Sequence, residues 1–316
     1  NPNQLKMLYQ GVDQIQIRSN HLYIQIGKFR ATELAPYAYQ IDKSGEKQKI
    51  DCQFILENQM VSFHVGDYDK SLPLIIDPTI VFASYSGSYA DNFGYTATYD
   101  LEGNLYGGGT VYGVGYPTTL GAFQINYSNN CDIGITKFSP DGTSRIFSTY
   151  LGGSFADVPH SLCVNNNNEL YILATTSSIN FPITSDAFMP NFYGGISMII
   201  SNVNNYLNGS DIAISRFNES GTSLLSSTYF GGSNNDGVNT HSLCKNYGDE
   251  TRGDLQIDKN NNIYIASSTM SNDLPVTTGA FQPTLAGAQD GFVAKFSYNL
   301  QNLIFCSYLG GNNNDA

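Results

Sequence analysis

The chain is poor in the residues that mark several common protein classes. It has no tryptophan, four histidines and 13% charged residues, against ~25% in an average globular domain. Acidic residues outnumber basic ones 27 to 15, for a net charge of −12. Because phosphate backbones are bound by basic patches, we expect no nucleic-acid partner. No apolar run approaches the ~18 residues of a membrane-spanning helix, so we expect no membrane span either.

Catalytic and metal-binding motifs are also missing. The sequence contains no Gly-x-Ser-x-Gly elbow, no His-Glu-x-x-His pair and no phosphate-binding loop. The five cysteines form no Cys-x-x-Cys pair, which argues against zinc and thioredoxin-type chemistry. We therefore expect no cofactor and lean against an enzyme. One disulfide stays open if the protein is exported.

A block of about 65 residues recurs through the second part of the chain. A signature tyrosine marks each copy: Tyr85, Tyr150, Tyr229 and Tyr308. These positions are 65, 79 and 79 residues apart, so two copies carry 14 extra residues (79 − 65). One insert falls between Phe188 and Asp211 and the other between Tyr229 and Tyr264. Such self-similarity predicts an array of stacked units whose inserts are surface loops.

Four short β-type runs separated by turn residues make up each copy. In the first copy they cover residues 95–99, 105–111, 132–138 and 145–150. The third run alternates small and aliphatic residues, with Ile133, Ile135 and Lys137 on one face, which suits a strand covered on both sides. Four-stranded units repeated radially form a β-propeller, so we expect an all-β propeller fold; a β-solenoid is the alternative.

The predicted domains are a small antiparallel β domain at 1–78 and the propeller repeats at 79–316. The approximate copies are 80–144, 145–223 and 224–302, and the next begins at 303–316. Three copies do not close a ring of ~4–8 blades. We therefore expect the ring to be incomplete here and the chain to be a piece of a longer protein. In the first domain, Lys43-Ser-Gly-Glu-Lys47 predicts a hairpin turn.

The repeated motifs resemble those of a known family. Ser-Thr-Tyr-Leu-Gly-Gly-Ser, Gly-Asn-x-Tyr, Phe-Pro-x-Thr before Ala-Phe, and an Asp-initiated run ending in Lys-Phe resemble the SBBP β-propeller repeat of large bacterial surface proteins. The resemblance covers residues 80–316. Segments 36–40, 65–69 and 73–78 are similar to the β-rich domain that usually precedes these repeats. The resemblance implies an extracellular or cell-surface protein of Bacteroidota type. Many members of that family are exported as cargo of the type IX secretion system.

Repeated aspartates are the first candidate site residues. They follow the signature or open the third run: Asp91, Asp157, Asp236 and Asp315, then Asp132, Asp211 and Asp290. Their Gly- and Asn-rich context suggests a calcium loop as one alternative, although the EF-hand spacing is absent. A residue present in every copy is more typical of architecture, so we interpret these seven as structural.

Unrepeated residues are the better candidates for ligand contact. They lie in the two inserts: Tyr193, Tyr206, Lys245, Tyr247, Asp249, Glu250 and Arg252. His160-Ser-Leu-Cys163 and His241-Ser-Leu-Cys244 form a second local pair. We interpret it as equivalent strand segments of neighbouring copies, with a metal site as the alternative.

Repetition, missing catalytic motifs and the resemblance together predict a non-enzymatic extracellular module. Its expected roles are adhesion, glycan or protein binding, or spacing within a large secreted protein. The expected partners are a surface glycan or protein, or secretion machinery. The alternative function is a propeller-fold polysaccharide hydrolase or lyase, which requires unrepeated carboxylates around one opening.

Overall fold

The protein is all-β and divides into two compact units, Asn1–Ala83 and Ser84–Ala316. The computed structural model describes residues 2, 5–26, 29–77, 86–200, 204–239, 242–245 and 248–316. Those residues form short antiparallel sheets and no α-helix, which confirms the predicted fold class at that level. The division between the units lies close to the boundary expected after residue 78.

The described residues of the first unit form three three-stranded sheets, in the orders β1-β8-β7, β2-β3-β4 and β6-β5-β9. Their strands are β1 (Lys6–Leu8), β2 (Gln14–Arg18), β3 (His21–Ile26), β4 (Phe29–Glu33), β5 (Tyr37–Ile41), β6 (Lys47–Ile50), β7 (Cys52–Glu57), β8 (Met60–Val65) and β9 (Ile75–Asp77). The predicted hairpin at 43–47 is confirmed, since β5 pairs antiparallel with β6 across it. The core of this unit is small and consists of Leu22, Ile24, Phe54 and Val61 with partly buried neighbours.

In the second unit, the part that the structure describes forms three four-stranded sheets, one after another along the chain. The first sheet contains β10 (Asn92–Tyr99), β11 (Leu105–Val111), β12 (Asp132–Phe138) and β13 (Arg145–Leu151). The second contains β14 (Asp157–Val164), β15 (Leu170–Thr176), β18 (Asp211–Phe217) and β19 (Leu224–Phe230). The third contains β20 (Gly253–Ile257), β21 (Ile263–Thr269), β22 (Asp290–Phe296) and β23 (Leu303–Leu309). A separate hairpin, β16 (Met198–Ile200) with β17 (Asn204–Tyr206), lies in the first insert.

All four predicted strands of the first copy are present. Each sheet, however, runs past the copy boundaries placed at 144/145, 223/224 and 302/303, because its fourth strand is the one that carries the signature tyrosine. Tyr85 itself lies outside the described residues. Defined by hydrogen bonding, each repeat therefore begins after the glycines that follow one signature tyrosine. It ends with the strand that carries the next signature tyrosine.

Successive sheets pack face to face, and each uses the same two faces. The front face of the first sheet (Tyr106, Ile133, Ile135, Phe147 and Leu151) shares a core with the back face of the second (Leu170, Ile172, Ala174, Ala213, Phe217 and Tyr229). The front face of the second (Tyr171, Leu173, Ile212, Ile214 and Phe230) does the same with the back face of the third. The predicted two-sided burial of the third run is confirmed for β12 and β18. First strands also adjoin, because β10 contacts β14 and β14 contacts β20.

The proposed equivalence of the two His-Ser-Leu-Cys segments is wrong. Leu162 pairs with Ile172 in the second sheet, and the residue in the same register of the third sheet is Leu255, opposite Ile265. Leu243 and Cys244 instead lie in the second insert, which interrupts the first strand between Gly237 and Gly253. His241 is outside the described residues. The backbone pairing thus shows that a short identical motif does not mark equivalent strand positions here.

Candidate functional site

Two buried aspartates meet at the junction of the first and second sheets. Asp132 opens β12 and Asp157 opens β14, and neither side chain is exposed. Both face Gly152, where a Cβ atom would lie 2.8 Å from Asp132 Oδ1 and 2.8 Å from Asp157 Oδ2. Asp132 Oδ1 has no hydrogen-bond partner among the described residues. Two buried carboxyl groups therefore lie beside the same glycine.

Hydrogen bonds hold Asp157 from several sides. Its Oδ2 accepts from the Gly153 amide at 2.7 Å and from Ser178 Oγ at 2.9 Å. Its Oδ1 accepts from Thr176 Oγ1 at 2.5 Å. Asp132 Oδ2 accepts from the Ser128 amide at 2.8 Å. These bonds join the start of β14 to the end of β15, and the start of β12 to the loop that precedes it.

The junction of the second and third sheets repeats the arrangement. Asp236 Oδ2 accepts from the Gly232 amide at 2.8 Å and from Ser271 Oγ at 3.0 Å. Asp211 accepts from two backbone amides of the first insert, Tyr193 at 2.7 Å and Gly194 at 3.0 Å. Asp236 repeats the bonding of Asp157, and Asp211, like Asp132, accepts from backbone amides of the connection that precedes its strand.

Burial makes these carboxyl groups hard to ionise. It raises the pKa of Asp132 to about 7 and that of Asp157 to about 8, and the neighbouring Asp132 charge adds to the second shift. It likewise raises the pKa of Asp211 to about 7 and that of Asp236 well above its ordinary value. Each junction therefore holds carboxyl groups that favour the protonated form.

The remaining repeated aspartates differ in exposure. Asp290 is buried and accepts from the Ala286 amide at 2.8 Å. Asp315 is half-buried and accepts from the Gly311 amide at 2.7 Å. Asp91 is exposed, and the register position of Asp157 is occupied by Asn92 in the first sheet, opposite Val111. The first copy therefore lacks a carboxyl group at the junction position.

The two inserts meet at the end of the sheets that carries these junctions. Tyr206 of the first insert is fully buried in a small cluster with Val158 of β14 and Val238 of the second insert. Asn204 is also buried and accepts a hydrogen bond from Tyr112 Oη at 2.8 Å. Tyr206 therefore packs as a core residue and presents no side chain to a ligand. Tyr193, by contrast, is 59% exposed.

Charged residues of the second insert are partly used to hold its own shape. Asp249 forms an ion pair with Arg252 and accepts from the Lys245 amide at 2.9 Å. Glu250 is buried, and its carbonyl accepts from the Asn239 amide at 2.9 Å. The Arg252 side chain remains 63% exposed. Tyr247 lies outside the described residues.

A cleft opens where the first strands of the three sheets come together. Its lining combines the inner strands with the second insert: Gly94, Tyr95, His160, Gly248, Thr251, Arg252 and Gly253. Sequence reasoning missed Tyr95 as a site residue and treated His160 only as part of the false pair. Both side chains are placed by β-bulges, since the register shifts between Gly94 and Thr96 and between Pro159 and Ser161. Bulges redirect side chains in this way and have no signal in a single sequence.

His160 is held as a neutral imidazole in this cleft. Its Nε2 lies 2.7 Å from Thr175 Oγ1, and Thr175 donates its only hydroxyl hydrogen to the Gly237 carbonyl at 2.8 Å. Nε2 therefore carries the proton and donates to Thr175. Burial lowers the pKa of His160 to about 3. The cleft offers one neutral imidazole, a phenol, a hydroxyl and one exposed guanidinium.

Among the described residues, no three His, Cys, Asp or Glu side chains come close enough to hold a metal ion. All five cysteines are free thiols, and Cys306 is buried.

Comparison with known proteins gives a family match for the first unit. Residues 1–79 match the model of a family described as a domain of unknown function, DUF7948. No curated protein matches the chain. No helix formed by the described residues has the length and apolar character needed to cross a membrane. The first unit is thus similar to a defined family.

Proposed function

We propose that this chain is a non-enzymatic, extracellular binding module whose second unit is part of a β-propeller. Three features support the propeller: consecutive four-stranded sheets, front-to-back packing, and first strands that adjoin one another. The first strands then lie nearest the axis, and the cleft lined by Tyr95, His160 and Arg252 opens at one end of it.

The insert-bearing end is the proposed binding surface. The observation that carries this is the meeting of two unrepeated inserts over first strands that are otherwise repeated. Loops held by a rigid scaffold commonly carry binding residues. The buried acids of the junctions are engaged by backbone and hydroxyl donors, so they are not available to a ligand.

A neutral polysaccharide is the ligand class that fits the cleft best. Tyr95 offers a phenol ring, while Thr251 and Arg252 offer a hydroxyl and a guanidinium on the insert side. A sugar ring needs such a mixture of a flat apolar surface and hydrogen-bonding groups. Surface glycans outside the cell would supply it, in agreement with the extracellular location that we propose.

A glycan array probed with the full chain tests the proposal, with and without calcium. We expect binding of at least one neutral glycan, weakened roughly tenfold or more by Arg252→Gln. Arg145→Gln is the matched control because Arg145 is exposed on β13 of the first sheet. Binding that ignores Arg252 would move the site away from this cleft, and binding that vanishes in EDTA would require a cation.

The competing function is cleavage of the same polysaccharide. Asp249 and Glu250 are unrepeated acids next to Thr251 of the cleft, which is the feature a hydrolase or lyase needs. Asp249 is already paired with Arg252, which favours binding over catalysis. Release of reducing sugar ends that is lost in Glu250→Gln would overturn the non-enzymatic proposal.

A further inference from the structure

The third sheet presents an apolar front face whose counterparts in the other two sheets are buried. Tyr264 is 41% exposed, while the residues in its register position, Tyr106 and Tyr171, are both 0% exposed. Leu309 is 54% exposed, while its counterparts Leu151 and Phe230 are 0% exposed. The same side chains that form cores between sheets are therefore open to solvent here.

Other positions of this face follow the same rule. Phe305 is 38% exposed, and its counterpart Phe147 is buried. Ala266 is exposed, and its counterpart Leu173 is buried in the core between the second and third sheets. Together with Val293 and Lys295 these residues form one patch, which we call the open face: Tyr264, Ala266, Val293, Lys295, Phe305 and Leu309. An apolar patch of this kind on a protein surface marks an interaction site.

Charge on the open face repeats the pattern of the covered ones. Lys295 Nζ lies 3.7 Å from Asp258 Oδ2 and 4.8 Å from the centre of the Tyr264 ring. In the first sheet, Lys137 stands in the same register and lies 4.8 Å from the Tyr106 ring, with its ammonium group buried. The open face is thus a complete copy of a sheet-binding face, including its one cation.

The internal junctions show what such a face accepts. The front face of the first sheet is covered by aliphatic and small residues of the second: Leu170, Ile172, Ala174 and Ala213, with Phe217 at one end. The front face of the second sheet is covered by Ile263, Ile265, Phe292, Ala294 and Phe296 of the third. Repeat proteins are held together by such nearest-neighbour interfaces, each made from the same positions.

We infer that the open face is a docking surface for a further four-stranded sheet of this same repeat, presented by its back face. The inference rests on the register equivalence of the sheets and stands apart from the glycan proposal. The back face of the partner sheet would carry small and aliphatic residues on its second and third strands. An aspartate would begin its third strand. The Asp315 amide donates to the Gln289 carbonyl as the Asp157 amide donates to the Cys131 carbonyl, and Asp157 is where the second sheet begins.

A chain extended by one of its own sheets tests the inference. The full chain is joined at Asp315 to a second copy of residues 158–230, which contain the second sheet and its back face. Since the protein has no tryptophan, Tyr264→Trp introduces a single fluorescent reporter on the open face. We expect its emission to shift to the blue, and its quenching by acrylamide to fall, in the extended chain compared with the parent. Tyr99→Trp is the control, because Tyr99 is 75% exposed on β10 and should report no change.

A charged substitution on the open face separates docking from mere tethering. Ala266→Arg should leave the melting temperature of the parent chain unchanged, because Ala266 is exposed there. In the extended chain it should abolish both the blue shift and a rise of about 5 °C or more in the melting temperature. A concentration-dependent blue shift in the parent, also lost in Ala266→Arg, would show that a sheet of a second copy docks and would support the inference.

Two outcomes would overturn it. Amide hydrogen exchange measured on peptides of the appended sheet shows whether that sheet folds. If it folds while the reporter stays solvent-exposed, the open face does not bind such a sheet. If it stays unfolded, the open face lacks the property that the equivalent face of the first sheet has, since the second sheet is folded against that one.

Discussion

Lys137 Nζ lies 2.9 Å from Asp100 Oδ2, and the two side chains are only 3% and 0% exposed. Asp100 also accepts hydrogen bonds from Asn104 Nδ2 at 2.8 Å and from Tyr106 Oη at 3.1 Å. Burial opposes ionisation of this carboxyl group, but the bonds from Asn104 and Lys137 hold its pKa below the ordinary value. A complete ion pair is thus enclosed between the first and second sheets.

Removal of the lysine should lower the unfolding free energy, because the enclosed carboxylate then has no cation. Lys137→Met leaves the Asp100 carboxylate buried without its cation, so we expect the unfolding free energy to fall by about 3–5 kcal/mol. Lys295→Met in the third sheet is the matched control, because its pair with Asp258 is 3.7 Å long and both side chains are 25% exposed. There we expect a loss of about 1 kcal/mol or less. Urea denaturation followed by circular dichroism measures both, and equal losses would contradict the argument.

Each of the three sheets has a turn with an acid, an amide and a cation, but the acid occupies a different position in the second sheet. The first and third sheets have an aspartate before the turn and an asparagine after it, Asp100 with Asn104 and Asp258 with Asn262. The second sheet has the reverse, Asn165 before the turn and Glu169 after it. Its cation is Arg216, 3.8 Å from Glu169 Oε2. Each turn therefore has one acid, one amide and one cation.

Exchange of the two residues in the second sheet should be tolerated better than either change alone. Asn165→Asp by itself places two acids beside one arginine, and Glu169→Asn by itself leaves Arg216 without its carboxylate. We expect both single variants to be destabilised and the double variant to recover, with a coupling energy of about 1–3 kcal/mol. A double-mutant cycle in urea measures it; additive effects would show that the acid and the amide act independently.

Local pattern predicted the strands of the repeat well because each strand is bounded by turn residues with a physical role. The turn before β11 needs Gly103 at a φ of 84° and the turn before β21 needs Asn261 at 62°, conformations that favour glycine and asparagine. The alternation of Ile133 and Ile135 with small residues also predicted that both faces of β12 are covered. Where side-chain period and turn chemistry agree, the element is predictable.

The candidate site was less predictable because it depends on pairing between distant segments. The second insert leaves its strand after Gly237 and returns at Gly253, which only the pairing with β21 reveals. The burial of Tyr206 depends on Val158 and Val238, which are remote in sequence. An insert rich in tyrosine therefore looked like a ligand loop when one of its tyrosines is a core residue.

Gly152 should tolerate no side chain. An added Cβ would lie 2.8 Å from oxygens of both Asp132 and Asp157, which are fixed by several hydrogen bonds. We expect Gly152→Ala to lower the unfolding free energy by about 1–3 kcal/mol, as overpacking does. Gly107→Ala is the control because a Cβ there meets no atom within 4 Å. Thermal unfolding measures both variants, and a neutral Gly152→Ala would mean that the two carboxyl groups are not held in place.

The carboxyl pair should make the protein more stable in acid than in base. The pKa is raised by folding to about 7 in Asp132 and about 8 in Asp157, so the folded state holds protons that the unfolded state releases above its ordinary carboxyl pKa. Their contribution is complete below about pH 4 and is lost as pH rises through about 7 to 8. Asp132→Asn removes one of these groups and places an amide, in place of the bare Oδ1, beside Gly152, which Asp157 also faces.

We therefore expect Asp132→Asn to be more stable than the parent at pH 8, by about 1–3 kcal/mol, because a donor replaces a repelling carboxylate. At pH 4.5, where both carboxyl groups are protonated in the folded parent, the advantage should shrink. Asp91→Asn is the control, since Asp91 is exposed and should alter neither value. Urea denaturation at the two pH values measures the difference. A variant with the same pH dependence as the parent would show that Asp132 is ionised in the folded protein and that a cation or water network compensates its charge.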